Sequence, residues 1–275
     1  MRRSPFLTST TTTIMDEEFD VPDGDIILRA RGAPNHRDFR VHKLVLSLAS
    51  PVFRDMFGIP QPRLNALNDD IEVVDVSDPP LGLDLALRLI YPFPPPTVDN
   101  LDLLVEGLVI TDKYNMGGAR ARLRESLKRF VKEAPLRVYA IASRFGFDEE
   151  AEASSSLTTG IFLPALADLP NDFRYVPVPI YHKLIVLHEK HRDEIEDVVD
   201  AVLFEPACLE CKVAKALAEP RMRTKLVRII CRGVPISVAA CIQELGVVCK
   251  AACMTKFVEG VVVKLGDKST TIIRF

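Results

Sequence analysis

The sequence predicts an α+β N-terminal domain, built from short strands with helical hairpins, followed by a mainly α-helical C-terminal region. Residues 25–57 contain two strand-like runs and then two apolar helical segments, with no linker between them. After residue 130 the apolar spacing stays helical and is broken by Pro and Gly. With 275 residues, 48% of them hydrophobic, the chain is long enough for two cores.

Residues 21–24, Val-Pro-Asp-Gly, predict a turn, and we expect the first strand directly after it. Residues 25–30 have a nearly continuous apolar character, which favours a strand covered on both faces. Residues 31–37 contain Gly, Pro and Asn and predict a hairpin loop. Residues 38–41 alternate polar and apolar side chains, as a half-buried return strand does.

From His42 the apolar spacing changes to that of a helix, and Ser50 followed by Pro51 predicts the start of a second helix. The apolar side chains of each helix fall on one stripe: Leu44, Val45 and Leu48 in the first, Phe53, Met56 and Phe57 in the second. Two short helices meeting at a capped proline predict a helical hairpin.

The remaining elements follow from the same spacing rules. We expect a strand at 71–76 and helices at 79–90, 98–113, 119–130, 135–145, 149–157 and 180–203, with Gly117-Gly118 as a turn and Gly146 as a helix stop. The last seventy residues predict helical pieces at 210–218, 223–232 and 236–257 and a hairpin of strands 261–265 and 270–274. These elements predict a disordered tail at 1–20, a domain at 21–131, a helical extension at 132–204 and a helical region at 205–275 that ends in the hairpin.

One spaced set of residues in this N-terminal stretch resembles the signature of the BTB/POZ domain: Asp25-Ile26, Leu28, Phe39, His42-Lys43, Leu46, Ser50, Phe53 and Met56-Phe57. The elements that follow, to about residue 131, are similar to those of that family. The resemblance implies a non-enzymatic protein–protein interaction module that self-associates as a homodimer and presents its helical region to a client. With its proline-rich segment, the chain is most similar to the BTB proteins abundant in mushroom-type fungi.

The same resemblance implies a charged pocket near the dimer interface. In dimeric BTB proteins an acid at the place of Asp25 and a base at the place of Lys43 line this pocket, and His42 precedes the base. Buried opposite charges must be paired to offset their desolvation. An intrachain salt bridge between the first strand and the first helix is the alternative, and both interpretations stay open.

Residues 91–96, Tyr-Pro-Phe-Pro-Pro-Pro, depart from the family pattern. Prolines cannot donate to a strand ladder, so we expect no central strand there. In ubiquitin-ligase members this neighbourhood carries a hydrophobic-x-Glu contact to a cullin, and no Glu lies between Leu89 and Thr97. The resemblance therefore leaves a cullin-adaptor role as a disfavoured alternative.

A zinc-binding or metal-dependent domain in the C-terminal half is an alternative from another class. Its ligands would be four of the six cysteines: Cys208, Cys211, Cys249 and Cys253. A CxxC and an i, i+4 pair could supply four thiolates to a tetrahedral zinc. Cysteines also pack in helical cores, which is the interpretation we favour, so no cofactor is predicted.

Two further patterns have ordinary structural explanations. His182, His188 and His191 lack the spacing of HExxH and predict a solvated helix face. The basic run at 113–132 interleaves apolar residues at helical spacing, which indicates a core-facing amphipathic helix with a solvated basic face.

Composition and motifs narrow the function class. A net charge of −3 disfavours nucleic-acid binding. Cysteines without a secretory signal predict reduced thiols and an intracellular protein, cytoplasmic or nuclear. No uncharged apolar run approaches a membrane span, and no G-x-S-x-G, phosphate-binding or dinucleotide-binding motif is present, so neither a membrane protein nor an enzyme is predicted.

Overall fold

The computed structural model describes residues 13–20, 22–31, 36–59, 71–94, 96–159 and 169–203, together with 224, 226, 227, 259–261 and 263. The chain divides into two compact units, Met1–Phe130 and Val131–Phe275. No helix within the described ranges is long and apolar enough to cross a membrane.

The first unit contains a four-stranded mixed sheet in the order β1-β3-β2-β4. Its strands are β1 Thr13–Asp20, β2 Ile26–Arg31, β3 His36–Val41 and β4 Glu72–Val76. β2 pairs antiparallel with β3. β1 pairs parallel with β3, and β4 pairs parallel with β2. The structure therefore differs from the expected tail at residues 13–20, because strand pairing and the fully buried Phe19 anchor this stretch.

Strand β2 buries one of its faces fully. Ile26, Leu28 and Ala30 are buried, whereas the intervening Ile27 and Arg29 are half-buried. The expected cover on both faces is thus incomplete, because the face that carries Ile27 and Arg29 is only half-buried. β3 supplies the matching row, since Phe39 and Val41 lie opposite Leu28 and Ile26.

Helices follow the sheet in pairs. They are α1 Lys43–Ala49, α2 Pro51–Gly58, α3 Pro80–Ile90, α4 Leu101–Lys113 and α5 Gly117–Leu127, the last continued by a 3-10 turn at Lys128–Phe130. The predicted turn at Gly117-Gly118 is wrong, because these glycines already form the first turn of α5. The chain reverses two residues before Gly117, at Asn115, whose φ of 52° is in the left-handed region that Asn tolerates.

Helices α3 and α4 approach closely because glycines lie at their crossing. A Cβ on Gly82 would lie 2.8 Å from the Glu106 Cβ, and one on Gly107 would lie 2.8 Å from the Leu85 Cδ2. Around this crossing the core is made of fully buried aliphatic side chains, including Leu83, Leu87, Leu104 and Leu108.

The second unit is helical where it is described. It contains α6 Pro135–Phe145, α7 Asp148–Thr158, a 3-10 turn at Asn171–Tyr175 and α8 Val178–Leu203. Gly146 ends α6 with a φ of 69°, which confirms the predicted stop.

The predicted strand at 261–265 is wrong at its described positions. Val261 and Val263 are helical, like Glu259 and Gly260 before them. Valine prefers strands only weakly, and Val261 is buried in a helical unit, so its surroundings override that preference. Residues 270–274, which the sequence predicts as the second strand, lie outside the described residues.

Candidate interaction surface

The helical hairpin α1–α2 presents large apolar side chains to solvent. Leu44 is 69% exposed, Leu48 81% and Val52 41%, and we call these three residues the α1–α2 apolar surface. The predicted stripe of Leu44, Val45 and Leu48 does not face the core, because Leu46 is the residue of α1 that is fully buried. Leu44 and Leu48 lie one turn apart on the opposite side of this short helix.

A polar cap joins this hairpin to the end of α4. The Ser50 hydroxyl accepts a hydrogen bond from the Phe53 N–H at 3.1 Å and donates one to the Tyr114 carbonyl at 2.5 Å. The ring of Phe53 stacks on that of Tyr114 with centroids 4.4 Å apart. The predicted Ser50 cap and Pro51 first turn are confirmed, and the contacts to Tyr114 fix how α2 lies on the core.

A buried carboxylate, Asp78, contacts the end of α4, and the sequence analysis did not identify it. Asp78 is 5% exposed and accepts a hydrogen bond from the Tyr114 hydroxyl at 2.6 Å. The Lys113 ammonium donates to both Asp78 carboxylate oxygens at 2.9 Å. Burial raises the pKa of Tyr114 well above its usual value, and the hydrogen bond to the Asp78 carboxylate raises it further. This cluster stabilises the end of α4 against which α2 packs.

The predicted pocket residues Asp25 and Lys43 lie together but form no side-chain ion pair with each other. The Asp25 carboxylate is exposed and accepts the backbone N–H of Lys43 at 2.8 Å, at the first residue of α1. The Lys43 ammonium pairs instead with Glu72 on β4 and lies 5.8 Å from the centroid of the Phe57 ring. Within one chain Asp25 therefore stabilises the helix start, and the predicted intrachain Asp25–Lys43 salt bridge is not formed.

His42 joins the start of α1 to the segment after α3. Its backbone N–H donates to the Tyr91 hydroxyl at 2.8 Å, and its Nδ1 lies 3.1 Å from the same oxygen. Its Nε2 lies 3.3 Å from a carboxylate oxygen of Asp23. Burial raises the pKa of Tyr91, although the hydrogen bond from His42 lowers it. His42 thus positions the strand–helix junction.

The proline-rich segment packs through its aromatic residues. Phe93 stacks on Tyr91 with ring centroids 5.6 Å apart, and both rings contact Phe19 edge-on at 5.4 and 5.6 Å. Residues 91–94 and 96–100 contain no strand, as expected for that part of the segment.

The basic helix α5 packs on the domain core. Leu123 and Leu127 are buried, which confirms the predicted amphipathic pattern. Arg122 donates to the Leu89 carbonyl at 2.9 Å, near the end of α3, where a cation is favoured by the helix dipole. Arg129 donates to the Val98 carbonyl at 2.8 Å, so part of the basic face holds the domain together.

The residues considered as metal ligands lie partly outside the described part of the chain. Among the described residues, no group of three or more His, Cys, Asp or Glu could hold a metal ion. His188 lies half-buried with its Nε2 3.0 Å from the Thr158 hydroxyl, and burial lowers its pKa, so the expected solvated face is incomplete there. The cysteine set Cys208, Cys211, Cys249 and Cys253 lies outside the described residues.

Comparison with known proteins supports the first unit alone. No curated protein matches the chain. Residues 23–129 match the family model of the BTB/POZ domain, from β2 to α5, and this confirms the predicted fold class. Residues 23–129 are therefore similar to a BTB/POZ domain, a kind of domain that generally mediates protein–protein interaction.

Proposed function

We propose that the chain is a non-enzymatic interaction module that self-associates through the α1–α2 apolar surface and presents its second unit to a client protein. The observation that carries this proposal is the exposure of Leu44 and Leu48 on helix α1, whose opposite side is held on the core by the fully buried Leu46. Large apolar side chains grouped on a surface mark interaction sites, whereas single exposed ones need no explanation.

A second copy of the chain is the occupant that the chemistry favours. Burying one leucine stabilises by about 1.5–3 kcal/mol, so a two-fold contact of Leu44 and Leu48, which uses four leucines, gains about 6–12 kcal/mol. Association costs about 4–15 kcal/mol. Because the two terms are of similar size, these leucines decide whether the dimer forms.

The charged residues beside the surface would set its register. His42 and Lys43 directly precede Leu44 at the start of α1, and the Asp25 carboxylate accepts the Lys43 backbone N–H there. In a two-fold contact the charges of Asp25 and Lys43 would come near those of the second copy, where like-charge contacts disfavour wrong registers. We therefore keep these three residues as the rim of the proposed interface.

Sedimentation of the purified full chain at tens of micromolar tests self-association. We expect a dimer, and the double substitution Leu44→Asp/Leu48→Asp should give a folded monomer because two buried charges per protomer would be unpaired. Leu81→Asp is the matched control, since Leu81 is 62% exposed on α3 and lies outside the proposed interface. A monomeric parent chain, or a dimer that survives the double substitution, would contradict the proposal.

The client would bind the second unit. Exposed apolar residues there include Val178 at 78%, Tyr175 at 58% and Val186 at 46%. Crosslinking of the full chain in its own cells should join Lys183 and Lys190, both exposed on α8, to one recurrent protein. Loss of that crosslink in a Val178→Asp/Val186→Asp variant would support the assignment, and its persistence would refute it.

The finer boundaries follow the sequence: domain 21–131, helical extension 132–204 and helical region 205–275. The six cysteines, which we expect to be reduced, support an intracellular location, and the proline-rich segment supports the fungal resemblance. A cullin-adaptor role stays the weaker proposal because no Glu lies between Leu89 and Thr97. Co-purification of a cullin with the full chain would favour that role instead.

A further inference from the structure

Two half-buried histidines lie one turn apart on α8 and are distinct from the residues proposed to bind a second copy or a client. His188 and His191 are spaced i, i+3, which makes them neighbours on one face of the helix. Leu184, one turn before His188, is 1% exposed. Histidines of intermediate burial are often ordinary packing residues. The groups around this pair decide whether it does more.

His188 joins α8 to the end of α7. Its Nε2 lies 3.0 Å from the hydroxyl of Thr158, which is fully buried. The one proton of that hydroxyl is donated to the Ser155 carbonyl at 2.6 Å. The Thr158 hydroxyl therefore accepts the hydrogen bond at His188, so Nε2 carries the proton of the neutral ring. Nδ1 is then the atom that takes up the second proton when the ring becomes charged.

The elements packed against α8 offer no carboxylate partner to His188 among the described residues. α7 contributes the neutral Thr158 at this contact, and the buried acid of α7, Glu150, lies about two turns earlier in that helix. α6 contacts α8 through the Tyr139 hydroxyl, which donates to the Ile180 carbonyl near the start of α8. A positive charge on His188 would therefore face neutral groups.

Burial and like charge both oppose protonation of the pair. The pKa of His188 is lowered by burial and further by His191, and burial also lowers the pKa of His191. Glu194 acts on His191 in the opposite sense, but Glu194 is exposed and solvent screens it. The other charged residues beside the pair on α8 are exposed as well: Glu189, Lys190, Arg192 and Asp193. Both rings therefore take up protons more readily in water than in the folded chain.

We propose that His188 and His191 form an acid-sensitive latch that holds α8 on α7 at neutral pH and releases this part of α8 when both rings are charged. The hydrogen bond to Thr158 does not itself sense the proton, since Nε2–H donates in both forms. Release comes from the desolvation of the charged rings and from their mutual repulsion, and both are relieved when the rings enter water. Because the latch belongs to the second unit alone, it depends neither on self-association nor on a client.

Hydrogen exchange of the purified full chain at about pH 7.5 and about pH 5.5 tests the latch, with rates expressed as protection factors. A histidine that takes up its proton only in the released state makes release about tenfold more favourable one pH unit below its ordinary pKa of 6.5. The protection factors of residues 184–191 should therefore fall several-fold at the lower pH, by up to about tenfold for each histidine. Those of residues 138–142, in the buried part of α6, should stay unchanged.

The variant His188→Gln/His191→Gln removes both titrating groups, while the amide at position 188 can still donate to Thr158. Its protection factors should be the same at both pH values. If circular dichroism shows that the double variant is unfolded, His191→Gln alone replaces it and should reduce the fall. His182→Gln is the matched control, because His182 is exposed on the same helix and its replacement should leave the pH response intact.

Three results would overturn the proposal. The first is equal protection of residues 184–191 at both pH values in the parent chain. The second is an undiminished fall in the folded glutamine variant. The third is an equal fall in α6, which would show unfolding of the whole unit rather than release of α8.

Discussion

The buried Asp78–Tyr114 hydrogen bond gives a direct test of how the α1–α2 hairpin is held. Replacing Tyr114 with Phe keeps the ring that stacks on Phe53 and removes only the hydroxyl, which donates to Asp78 at 2.6 Å. A hydrogen bond to a charged group is worth about 1.5–3 kcal/mol, so the free energy of unfolding should fall by about that amount. Lys113→Ala should cost less than about 1 kcal/mol, because the Lys113 side chain is 42% exposed and its ion pair is screened by solvent.

Urea unfolding followed by far-ultraviolet circular dichroism measures these changes as shifts in midpoint at constant slope. A double-mutant cycle of Tyr114→Phe with Asp78→Ala should give a coupling energy of about 0.5–3 kcal/mol. Tyr175→Phe is the matched control, because Tyr175 is 58% exposed. Equal costs for Tyr114→Phe and Tyr175→Phe, or a coupling energy near zero, would refute the reasoning.

The same tyrosine predicts a response to alkaline pH. The pKa of Tyr114 is raised in the folded chain, mainly by burial and further by Asp78. The Tyr114 hydroxyl in the folded state therefore keeps its proton at pH values above the ordinary tyrosine pKa of 10.0. The stabilisation is therefore complete below pH 10.0 and is lost as the pH rises toward the folded pKa. In the Tyr114→Phe variant the alkaline loss of stability should be smaller.

Three further predictions concern packing, protonation and metal content. Gly82→Ala should lower the free energy of unfolding by up to about 2 kcal/mol, because overpacking against the Glu106 Cβ outweighs the gain in helix propensity. A Cβ on Gly118 would meet open space, so Gly118→Ala should leave the free energy of unfolding unchanged or raise it. Urea unfolding measures both changes. Because burial lowers the pKa of His188, the chain should lose stability as the pH falls below 6.5, and less so in His188→Asn when thermal unfolding is compared across pH. Elemental analysis of the purified chain should find no stoichiometric zinc, and Cys211→Ser should leave the melting temperature unchanged; zinc lost on that substitution would establish the metal site.

The sequence predicted the elements that local chemistry determines. The helix end at Gly146 follows from glycine's freedom at positive φ, and the start of α2 follows from Ser50 and Pro51, because these signals act within one helical turn. Strand β1 and the helical Val261 could not be predicted in this way. β1 depends on pairing with β3, which lies twenty or more residues away in the sequence, and the buried Val261 shows that a weak local preference for strand does not decide the outcome.

The charged site was predicted less well than the fold. Asp25 and Lys43 are close, as expected, but the partner of the Lys43 ammonium is Glu72, which lies 29 residues away in the sequence. No local pattern connects an acid on β4 with a base on α1. The sequence gives one weak indication of Asp78, because this acid lies between a strand and a helix that begins with proline. Local reasoning predicts that an acid in this position caps the helix, whereas in the structure Asp78 accepts the Tyr114 hydroxyl in the core.

The buried signature positions and the exposed leucines of the α1–α2 apolar surface are different residues, and this limits what the family match can say about partners. Signature positions such as Leu46, Ser50 and Phe53 are fully buried, because they fix the helical hairpin on the core. Leu44 and Leu48 flank Leu46 on the opposite side of α1, so they can change without affecting that packing. A BTB/POZ match therefore indicates protein–protein interaction in general, whereas the exposed residues that choose the partner are free to differ. If this is right, Leu44→Asp/Leu48→Asp should abolish self-association while leaving the free energy of unfolding of the monomer within about 0.5 kcal/mol of its value, as surface substitutions usually do.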